Sequence, residues 1–246
     1  RSWITGRRLV SLPFTDHAEP LLKESKALSQ IAEWIQRECR EHGWKYVELR
    51  PLSTDLCSAN PLVKSQSFWI HSLDLTVPLE QLFHGLHRSC LQRRIRHAER
   101  QQLSYVKSST DELLDEFYNL LMMTRRRYRL LPQPRSWFTN LMACMGTNAE
   151  IRMVRKGQKA IAAIFALRHR GTVIYKYGCS DEAFHHLAAM PFLFWKLIEE
   201  SKADGFDQID FGRTDTDNPG LIRFKVRFGA VRRRLNYFRY AENKKV

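Results

Sequence analysis

The chain has few cysteines, and they are not spaced as metal-binding or disulfide pairs would be. Its 246 residues contain five, an odd number, with no CxxC pair. They are scattered over the whole chain, at Cys39, Cys57, Cys90, Cys144 and Cys179. This spacing excludes the common zinc-finger patterns and does not support a disulfide framework. We therefore predict no metal site, and reduced thiols typical of a cytoplasmic protein.

Long apolar runs and standard catalytic motifs are also missing. No run reaches the roughly 18–20 apolar residues that a membrane span needs, and we see no secretory signal. The sequence contains no GxxxxGK[ST], GxGxxG, HExxH or GxSxG motif, which argues against P-loop, dinucleotide-binding, zincin and α/β-hydrolase sites. The adjacent His185 and His186 do not converge on one metal, because neighbouring helical residues point in different directions.

Positive charge and apolar residues are plentiful. The formal net charge is +14, and 43% of the residues are hydrophobic, so the chain can bury a sizeable core. Such an excess of cations favours an anionic partner. Charge alone leaves three partners open: a nucleic acid, a nucleotide-linked substrate or an anionic membrane surface.

Hydrophobic periodicity predicts an α/β protein with two halves, residues 1–107 and 108–246. Alternating apolar residues predict strands, and apolar residues three or four apart predict helices. The first half reads as a strand from Arg7 to Phe14, a helix from about Lys26 to Glu41 and further strands. The second half reads as a helix capped by Thr110, a three-strand meander from Ile151 to Gly178 and an apolar helix from Met190 to Lys202. Helices packed on a mixed sheet would serve both halves.

A long basic helix is predicted from Leu79 to Gln102. Apolar residues at helical spacing tie it to a core, namely Leu82, Leu86, Leu91 and Ile95. Its cations form either a solvated face or an anion-binding ridge, and the sequence leaves both open. They are Arg88, Arg93, Arg94, Arg96, His97 and Arg100.

The stretch from Gln208 to Phe228 organises the candidate site. It reads as a short buried strand that breaks at Gly212, a polar loop and a basic helical turn, an arrangement that presents polar side chains in a cleft. Together with the end of the meander it supplies residue types that suit attack of an amine on an ester or thioester carbonyl. Lys225 or Arg213 can supply the cation that stabilises a developing oxyanion. Asp210 or Asp181 can accept a proton or orient the amine.

Two segments resemble a known family. The C-terminal segment YKYGCSDEAFHHLAAMPFLFWKLIEESKADGFDQIDFGRTDTDNPGLIRFKVRFGA resembles the second half of FemAB proteins, and its specific part is DFGR followed by GLxxFKxxFG. RRLVSLPF, HAERQQL and FYNLLMMTRRRYRLLP resemble further parts of the same family. FemAB proteins are GNAT-like acyltransferases that include the peptidoglycan-bridge aminoacyltransferases, with relatives linked to exopolysaccharide and protein-sorting systems.

This resemblance implies a fold and a reaction. The expected fold is a tandem of GNAT-like domains, each a mixed, largely antiparallel sheet flanked by helices, with the first domain truncated at its N-terminus. The expected reaction moves an acyl or aminoacyl group onto an amine of a cell-envelope or polysaccharide-related acceptor. By resemblance Lys225 stabilises the transferring carbonyl, and we add Asp210 as a second catalytic residue. The predicted substrate-binding residues are Arg213, Lys176, Tyr177, Ser180, Asp181, Arg223 and Phe224.

One departure from the GNAT pattern bears on the donor. Proteins that use acetyl-CoA cradle its pyrophosphate in a glycine-containing loop before a helix, whereas this chain has no glycine from His185 to Pro191. We therefore expect no bound cofactor and a donor such as aminoacyl-tRNA or another activated acyl carrier. A cytoplasmic protein that contacts a membrane-linked precursor at the inner face would fit. The alternatives are a polyanion- or RNA-binding module and a non-catalytic GNAT-like scaffold.

Overall fold

The computed structural model describes residues 6–22, 27–53 and 61–242. Two residues that the sequence analysis used, Lys26 and Cys57, lie outside these ranges. The chain forms two compact units. The smaller takes in Arg1–Ile70, Arg213–Pro219 and Arg233–Val246, and the larger takes in His71–Gly212 and Gly220–Arg232. The predicted boundary at residue 107 separates two GNAT-like domains, whereas these units are the parts of the chain that pack compactly. The predicted boundary therefore stays a prediction.

The smaller unit has a helix on a short mixed sheet. Strand β1 runs parallel to β2, and β2 runs antiparallel to β9. Helix α1 packs Ile35 and Cys39 against Val47 of β2. The strand predicted from Arg7 to Phe14 is therefore present but shorter. The elements that contribute to this unit are β1 (Arg8–Val10), α1 (Ala27–Glu41), β2 (Tyr46–Leu49) and parts of β3 (Val63–Asp74) and β9 (Val231–Tyr240).

The larger unit is built on an antiparallel meander, as the sequence predicted. Strand β4 pairs with β5, β5 with β6 and β6 with β7, all antiparallel, and β8 then joins β7 in parallel. The fold class is thus α/β, with a mixed, mostly antiparallel sheet flanked by helices. The strands are β4 (Leu103–Ser108), β5 (Ala149–Lys156), β6 (Lys159–His169), β7 (Thr172–Ser180) and β8 (Gln208–Asp215).

Helices cover both faces of this meander because successive strand residues point to opposite faces. Ala162, Ile164 and Ala166 of β6 pack in the core under the apolar helix α6 (Ala189–Ala203). Their neighbours on β6 pack under the two helices that precede the meander. Those helices are α4 (Asp111–Arg127), which Thr110 caps by accepting a hydrogen bond from the Leu113 amide, and α5 (Arg135–Met145).

The prediction of one long helix from Leu79 to Gln102 is wrong. The segment consists of α2 (Leu79–Gly85), a π-helical turn (Arg88–Gln92) and α3 (Arg93–Glu99). Leu86 has extended backbone, with ψ at 143°, and the His87 ring accepts a hydrogen bond from the Cys90 amide, which starts a new helical segment. The four predicted core residues are nevertheless all buried, because the segments keep one apolar side towards the core.

The stretch from Gln208 to Phe228 differs from the prediction in one detail. Strand β8 continues through Gly212, which has a φ of 72°, to Asp215. Glycine tolerates this left-handed conformation without a steric penalty, so the strand bends there and does not end. The predicted helical turn is α7 (Pro219–Arg227). Among the described residues no helix combines the length and the apolar character that a bilayer crossing needs.

Candidate active site

A cavity of about 780 Å³ opens in the larger unit at the end of β7. The parallel pairing of β7 with β8 runs from Thr172 opposite Gln208 to Ile174 opposite Asp210, at the start of both strands. The cavity lies beyond that pairing, because Ser180 and Asp181 line it. Ligands of open α/β sheets commonly bind at the carboxyl ends of strands, so this position suits a substrate site.

The chain turns sharply between β7 and α6, and this turn forms one wall of the cavity. Asp181 caps a 3₁₀ segment (Glu182–Leu187) by accepting a hydrogen bond from the Ala183 amide. Ala188 then adopts a left-handed conformation, with a φ of 58°, and starts α6 without a side-chain cap. The first turn of a helix presents amide groups and a partial positive charge to anions. Ala188, Ala189 and Met190 line the cavity, so this helix end faces it.

Cations outnumber carboxylates in the cavity wall. Five arginines line it, against one aspartate, Asp181. They come from three separate parts of the larger unit, as Arg93, Arg94, Arg127, Arg223 and Arg227. Guanidinium groups bind phosphate and carboxylate groups with paired hydrogen bonds. The wall therefore has the composition of a binding site for an anionic group.

Ser180 is held firmly in this wall. Its amide donates to Thr124 Oγ1 over 3.0 Å, and Thr124 Oγ1 donates back to the Ser180 carbonyl over 3.2 Å. Arg127 also donates to that carbonyl, over 3.2 Å. The Ser180 hydroxyl is then left to pair with the imidazole of His185, with 2.9 Å between Oγ and Nε2.

The two titratable groups beside Ser180 differ in their readiness to accept a proton. Partial desolvation, together with the nearby Arg127, lowers the pKa of the exposed His185 below its usual value and so favours the neutral imidazole. The hydrogen bond from Lys159, 2.9 Å away, lowers the pKa of Asp181, so its carboxylate holds protons weakly. His185 is thus the better base in this cavity.

The structure brings four of the predicted residues together in the cavity wall. They are Ser180, Asp181, Arg223 and Phe224. The first two follow β7 and the last two lie on α7, so the contact between distant parts of the sequence is a product of the fold. Their predicted role in substrate binding stays a prediction.

Two further predicted residues meet around Gly212. The ammonium group of Lys225 donates to the Gly212 carbonyl over 2.9 Å, and Asp210 Oδ1 accepts from the Gly212 amide over 2.7 Å. Both side chains are buried, as is His71 beside them. Lys225 is turned towards Gly212, whereas its helix neighbours Arg223 and Phe224 line the cavity. The catalytic roles of Lys225 and Asp210 stay predictions.

The remaining three predicted residues lie elsewhere. Tyr177 is buried in the aromatic core, where its ring centre lies 5.0 Å from that of Phe138. Lys176 is the extra residue of a β-bulge between β6 and β7, a feature often found next to active sites. Arg213 belongs to the smaller unit, where it donates to the Tyr237 hydroxyl over 3.1 Å and lies 4.2 Å above the Phe68 ring.

Four arginines and His185 of the cavity wall were not predicted as site residues from the sequence. Arg93 and Arg94 belong to the basic segment for which an anion-binding ridge was one alternative, and that alternative fits their position in the cavity wall. Arg127 lies in the last turn of α4, where the helix dipole alone favours a cation, and no motif singles out Arg227. His185 was considered only as a metal ligand and as part of a loop. The available signals were a basic segment, a basic helix end and a histidine after a strand. None of them indicates that these residues lie close together in the fold.

The other nucleophile and metal candidates have structural explanations. Cys179 is buried, and burial raises the pKa of its thiol, so it is not a thiolate at neutral pH. Over the ranges that the structure describes, no three histidine, cysteine or acidic residues are grouped as a metal site would require.

Solved structures of other proteins share this fold, among them the following three. A crystal structure of FemX has a TM-score of 0.73 and 14% identity, over 90% of this chain and 78% of that one. The C-terminal domain of a putative lysylphosphatidylglycerol synthetase from Agrobacterium fabrum has a TM-score of 0.71 and 14% identity, over 98% and 78% of the two chains. L-PGS from Bacillus licheniformis has a TM-score of 0.65 and 15% identity, over 90% and 75%.

No protein with a curated description is significantly similar to the chain. The model of the acetyltransferase (GNAT) domain family, however, matches residues 86–225, which is more than half of the chain. This segment contains the meander, α6 and most of the cavity wall. The resemblance to GNAT-type FemAB proteins inferred from the sequence is confirmed. The chain belongs to the GNAT acetyltransferase domain family and is an acyltransferase.

Proposed function

We propose that this acyltransferase moves an acyl or aminoacyl group from a phosphate-bearing carrier to an amine of a cell-envelope or polysaccharide-related acceptor. The observation that carries the proposal is the cavity at the start of α6. Five arginines against one aspartate line it, and the uncapped helix end adds a partial positive charge. A neutral acyl group gains little from such a wall, whereas a phosphate-bearing carrier gains several charge-assisted hydrogen bonds.

Aminoacyl-tRNA is the carrier that we favour over acetyl-CoA. Every residue from His185 to Pro191 carries a Cβ atom, which limits how closely a pyrophosphate can approach the backbone amides of this turn. The arginines present their charge on long side chains instead, and these reach a carrier that stays further from the backbone. The names of the structural neighbours also favour aminoacyl transfer, since a lysylphosphatidylglycerol synthetase forms a lysyl lipid by its name.

The proposed reaction forms a bond between the acceptor nitrogen and the acyl carbon while the bond from that carbon to the carrier oxygen breaks. The acceptor amine must lose a proton. His185, whose imidazole is favoured in its neutral form and oriented by Ser180, accepts this proton and returns it to the carrier oxygen as that oxygen leaves. The carbonyl oxygen gains negative charge in the transition state, and we assign its stabilisation to the cation of Lys225, whose side chain must turn from the Gly212 carbonyl into the cavity to do so. One such donor contributes about 3 kcal/mol.

A comparison of donors tests the proposal. Purified protein is given either radiolabelled aminoacyl-tRNA or acetyl-CoA, with a panel of amine acceptors that includes peptidoglycan precursors. We expect labelled product from aminoacyl-tRNA and none from acetyl-CoA. The double variant Arg223→Ala/Arg227→Ala should lower kcat/KM at least about tenfold, because each lost charge-assisted bond contributes about 1.5–3 kcal/mol. Transfer from acetyl-CoA alone would overturn the choice of carrier.

An exposed arginine outside the cavity provides the control for that experiment. Arg100 follows α3 and is not part of the cavity wall. Arg100→Ala removes the same charge from the surface of the same unit, and kcat/KM should stay within about twofold of the wild type, since general surface charge is screened. Equal losses in Arg100→Ala and in the double variant would assign the effect to overall charge and contradict a carrier site in the cavity.

Lys225 needs its own test because its side chain is buried. The variant Lys225→Met keeps the apolar part of the side chain and removes the charge. We expect kcat to fall about 100-fold, the usual cost of losing one oxyanion donor, while the circular dichroism spectrum and the KM for aminoacyl-tRNA stay close to those of the wild type. Unchanged kcat in the folded variant would remove Lys225 from the mechanism.

A further inference from the structure

The end of α4 and the turn that follows expose a cluster of apolar side chains. Leu131 is 93% exposed, Tyr128 63% and Leu130 51%. Met122 and Met123, on the last turns of α4, are exposed as well. Single exposed apolar residues are ordinary, but five large ones within ten residues form a patch. The core does not need them, because the opposite side of α4 is already buried against the meander.

A hydrogen-bonded turn holds the tip of this patch away from the core. The Leu130 amide donates to the Arg125 carbonyl over 2.9 Å, and the Arg129 amide donates to the Arg126 carbonyl over 3.1 Å. This pair of bonds is the Schellman motif that ends many helices. The next segment is also fixed, since the Tyr118 hydroxyl donates to the Gln133 carbonyl. The exposed leucines therefore lie on a defined turn.

The residue at the left-handed position of this motif is unusual. Arg129 has a φ of 55°, where glycine is the common choice and another residue costs roughly 1–2 kcal/mol. An exposed cation is thus present at the tip in spite of a backbone penalty. The dipole of α4 explains cations within the helix, but Arg129 lies beyond the end of the helix.

The apolar tip contains several cations and no acidic residue of its own, and a carboxylate outside it, that of Glu182, lies 4.0 Å from Arg127. The segment from Met122 to Leu131 reads MMTRRRYRLL and contains four arginines and no carboxylate. Arg126 and Arg129 are both exposed. Exposed leucines next to a tyrosine and two exposed arginines match the interface of an anionic bilayer, where apolar side chains insert, tyrosine lies at headgroup level and arginines meet lipid phosphates.

We propose that this patch, Met122 to Leu131, docks the protein on the surface of an anionic phospholipid bilayer. A nucleic acid would explain the arginines but not a leucine that is 93% exposed. A protein partner would explain the leucines but does not need four arginines and no carboxylate within ten residues. A bilayer with anionic headgroups meets both requirements at once.

The patch adjoins the cavity, which gives docking a consequence. Arg127 and Tyr128 lie in the middle of the patch, and both also line the cavity. A bilayer bound at Leu130 and Leu131 would therefore lie next to the rim of the cavity. A lipid headgroup or a lipid-linked acceptor in that bilayer could then reach the cavity. The inference goes beyond the proposed acyl transfer, since docking holds whichever carrier is used, and its test measures binding alone.

Vesicle co-sedimentation tests the proposal. The wild-type protein is mixed with vesicles of phosphatidylcholine, or of equal parts phosphatidylcholine and phosphatidylglycerol, at about 0.1 M salt. We expect binding to the phosphatidylglycerol vesicles and at least about tenfold weaker binding to phosphatidylcholine alone, because anionic lipid attracts basic surface residues. No binding of the wild type to anionic vesicles would overturn the proposal.

Two double variants separate the apolar and the electrostatic contributions. Leu130→Ser/Leu131→Ser removes the apolar tip, and Arg126→Gln/Arg129→Gln removes exposed charge; neither pair lines the cavity. Each should weaken binding to anionic vesicles at least about tenfold, since insertion of a leucine and attraction of an arginine both contribute on the order of a factor of five or more.

Matched controls use equally exposed residues elsewhere. Leu21 is 99% exposed and Val231 is 64% exposed, so Leu21→Ser/Val231→Ser makes a comparable apolar change. Arg88→Gln/Arg100→Gln removes two exposed charges from the larger unit. Both controls should bind vesicles within about twofold of the wild type, because scattered surface charge is largely screened. Controls that lose as much as the patch variants would contradict docking at this surface.

The same variants distinguish a bilayer from two other ligands of the patch, an RNA and a second copy of the chain. A patch that binds RNA instead would show as weaker tRNA binding in Arg126→Gln/Arg129→Gln with unchanged vesicle binding. A patch that joins two copies of the chain would show as a smaller sedimentation coefficient of Leu130→Ser/Leu131→Ser with unchanged vesicle binding. Either result would overturn membrane docking.

Discussion

Two arginine-rich regions of the larger unit differ in how their charges are balanced. Around the fully buried Arg152, three cations face three carboxylates, and the ion pairs include contacts of 2.5 Å to Glu150 and 2.7 Å to Glu200. Lys107, Arg168 and Asp204 complete this network. In the cavity wall five arginines accompany one aspartate. Balanced charges hold the fold together, whereas an excess of one sign in a cavity leaves binding capacity for a ligand.

The Arg152 network gives the largest expected effect. Arg152→Met keeps most of the side-chain volume but leaves the buried Glu150 with Arg168 alone and the partly buried Glu200 with Lys107 alone. Removing one partner of a buried ion pair costs about 3–5 kcal/mol, so the free energy of unfolding in urea should fall by that amount. The exposed Arg100→Met should change it by less than about 0.5 kcal/mol. Equal stability of the two variants would contradict a structural role for the network.

A second prediction concerns titration in the buried region. Burial and the neighbouring Lys225 lower the pKa of His71 from 6.5 to about 4. In the unfolded chain the imidazole returns to its ordinary pKa, so its contribution to stability is complete above about pH 6.5 and is lost as the pH falls towards 4. The lost contribution is on the order of 3 kcal/mol.

The variant His71→Leu tests this directly. Because leucine does not titrate, the free energy of unfolding should depend less on pH between about 6.5 and 4.5 than it does in the wild type. Urea unfolding at several pH values measures the slope. His84→Gln, at an exposed histidine of α2, is the control and should leave the slope as it is. A slope that persists in His71→Leu would assign the acid sensitivity to other groups.

The third prediction concerns His185, the proposed base in the cavity. If His185 accepts the proton of the acceptor amine, activity should rise with pH through the lowered pKa of this imidazole and level off above it. His185→Asn should lower kcat about 100-fold, the common contribution of a general base, and abolish that rise. A pH–rate profile for His185→Asn beside His186→Asn, which changes the adjacent exposed histidine, measures both. Identical profiles would exclude His185 as the base.

The smallest effect on stability is expected for Thr124, a buried residue of α4 that bonds to Ser180 in the cavity wall. Thr124→Val keeps the shape of the side chain but removes the hydroxyl that bonds both the amide and the carbonyl of Ser180. Leaving these buried groups short of partners costs about 1–3 kcal/mol. The exposed Thr147→Val should have no measurable effect on urea unfolding. A stability of Thr124→Val equal to that of the wild type would mean that water replaces the lost bonds.

Local patterns predicted most elements of the larger unit. The alternation in β5 to β7, the cap at Thr110 and the apolar helix α6 all follow from signals within a few residues. The break after Gly85 was missed because its cause is the extended backbone of Leu86, while the apolar spacing continues across it. Ser180 and Arg223 were both singled out, but their proximity depends on the packing of β7 and α7, and spacing along the chain does not encode that. Arg127 had a sufficient local explanation, so its place in the cavity could not be foreseen.

Binding of a phosphate-bearing carrier in the arginine-lined cavity is tested most directly by the salt dependence of affinity. Uncharged tRNA is titrated into the wild type and into Arg223→Ala/Arg227→Ala at several salt concentrations. Affinity falls as salt rises, and each lost phosphate contact makes the slope of log affinity against log salt less negative by about one. We predict a slope less negative by about two in the double variant and an unchanged slope in Arg100→Ala. The same slope in all three proteins would contradict binding of the carrier in this cavity.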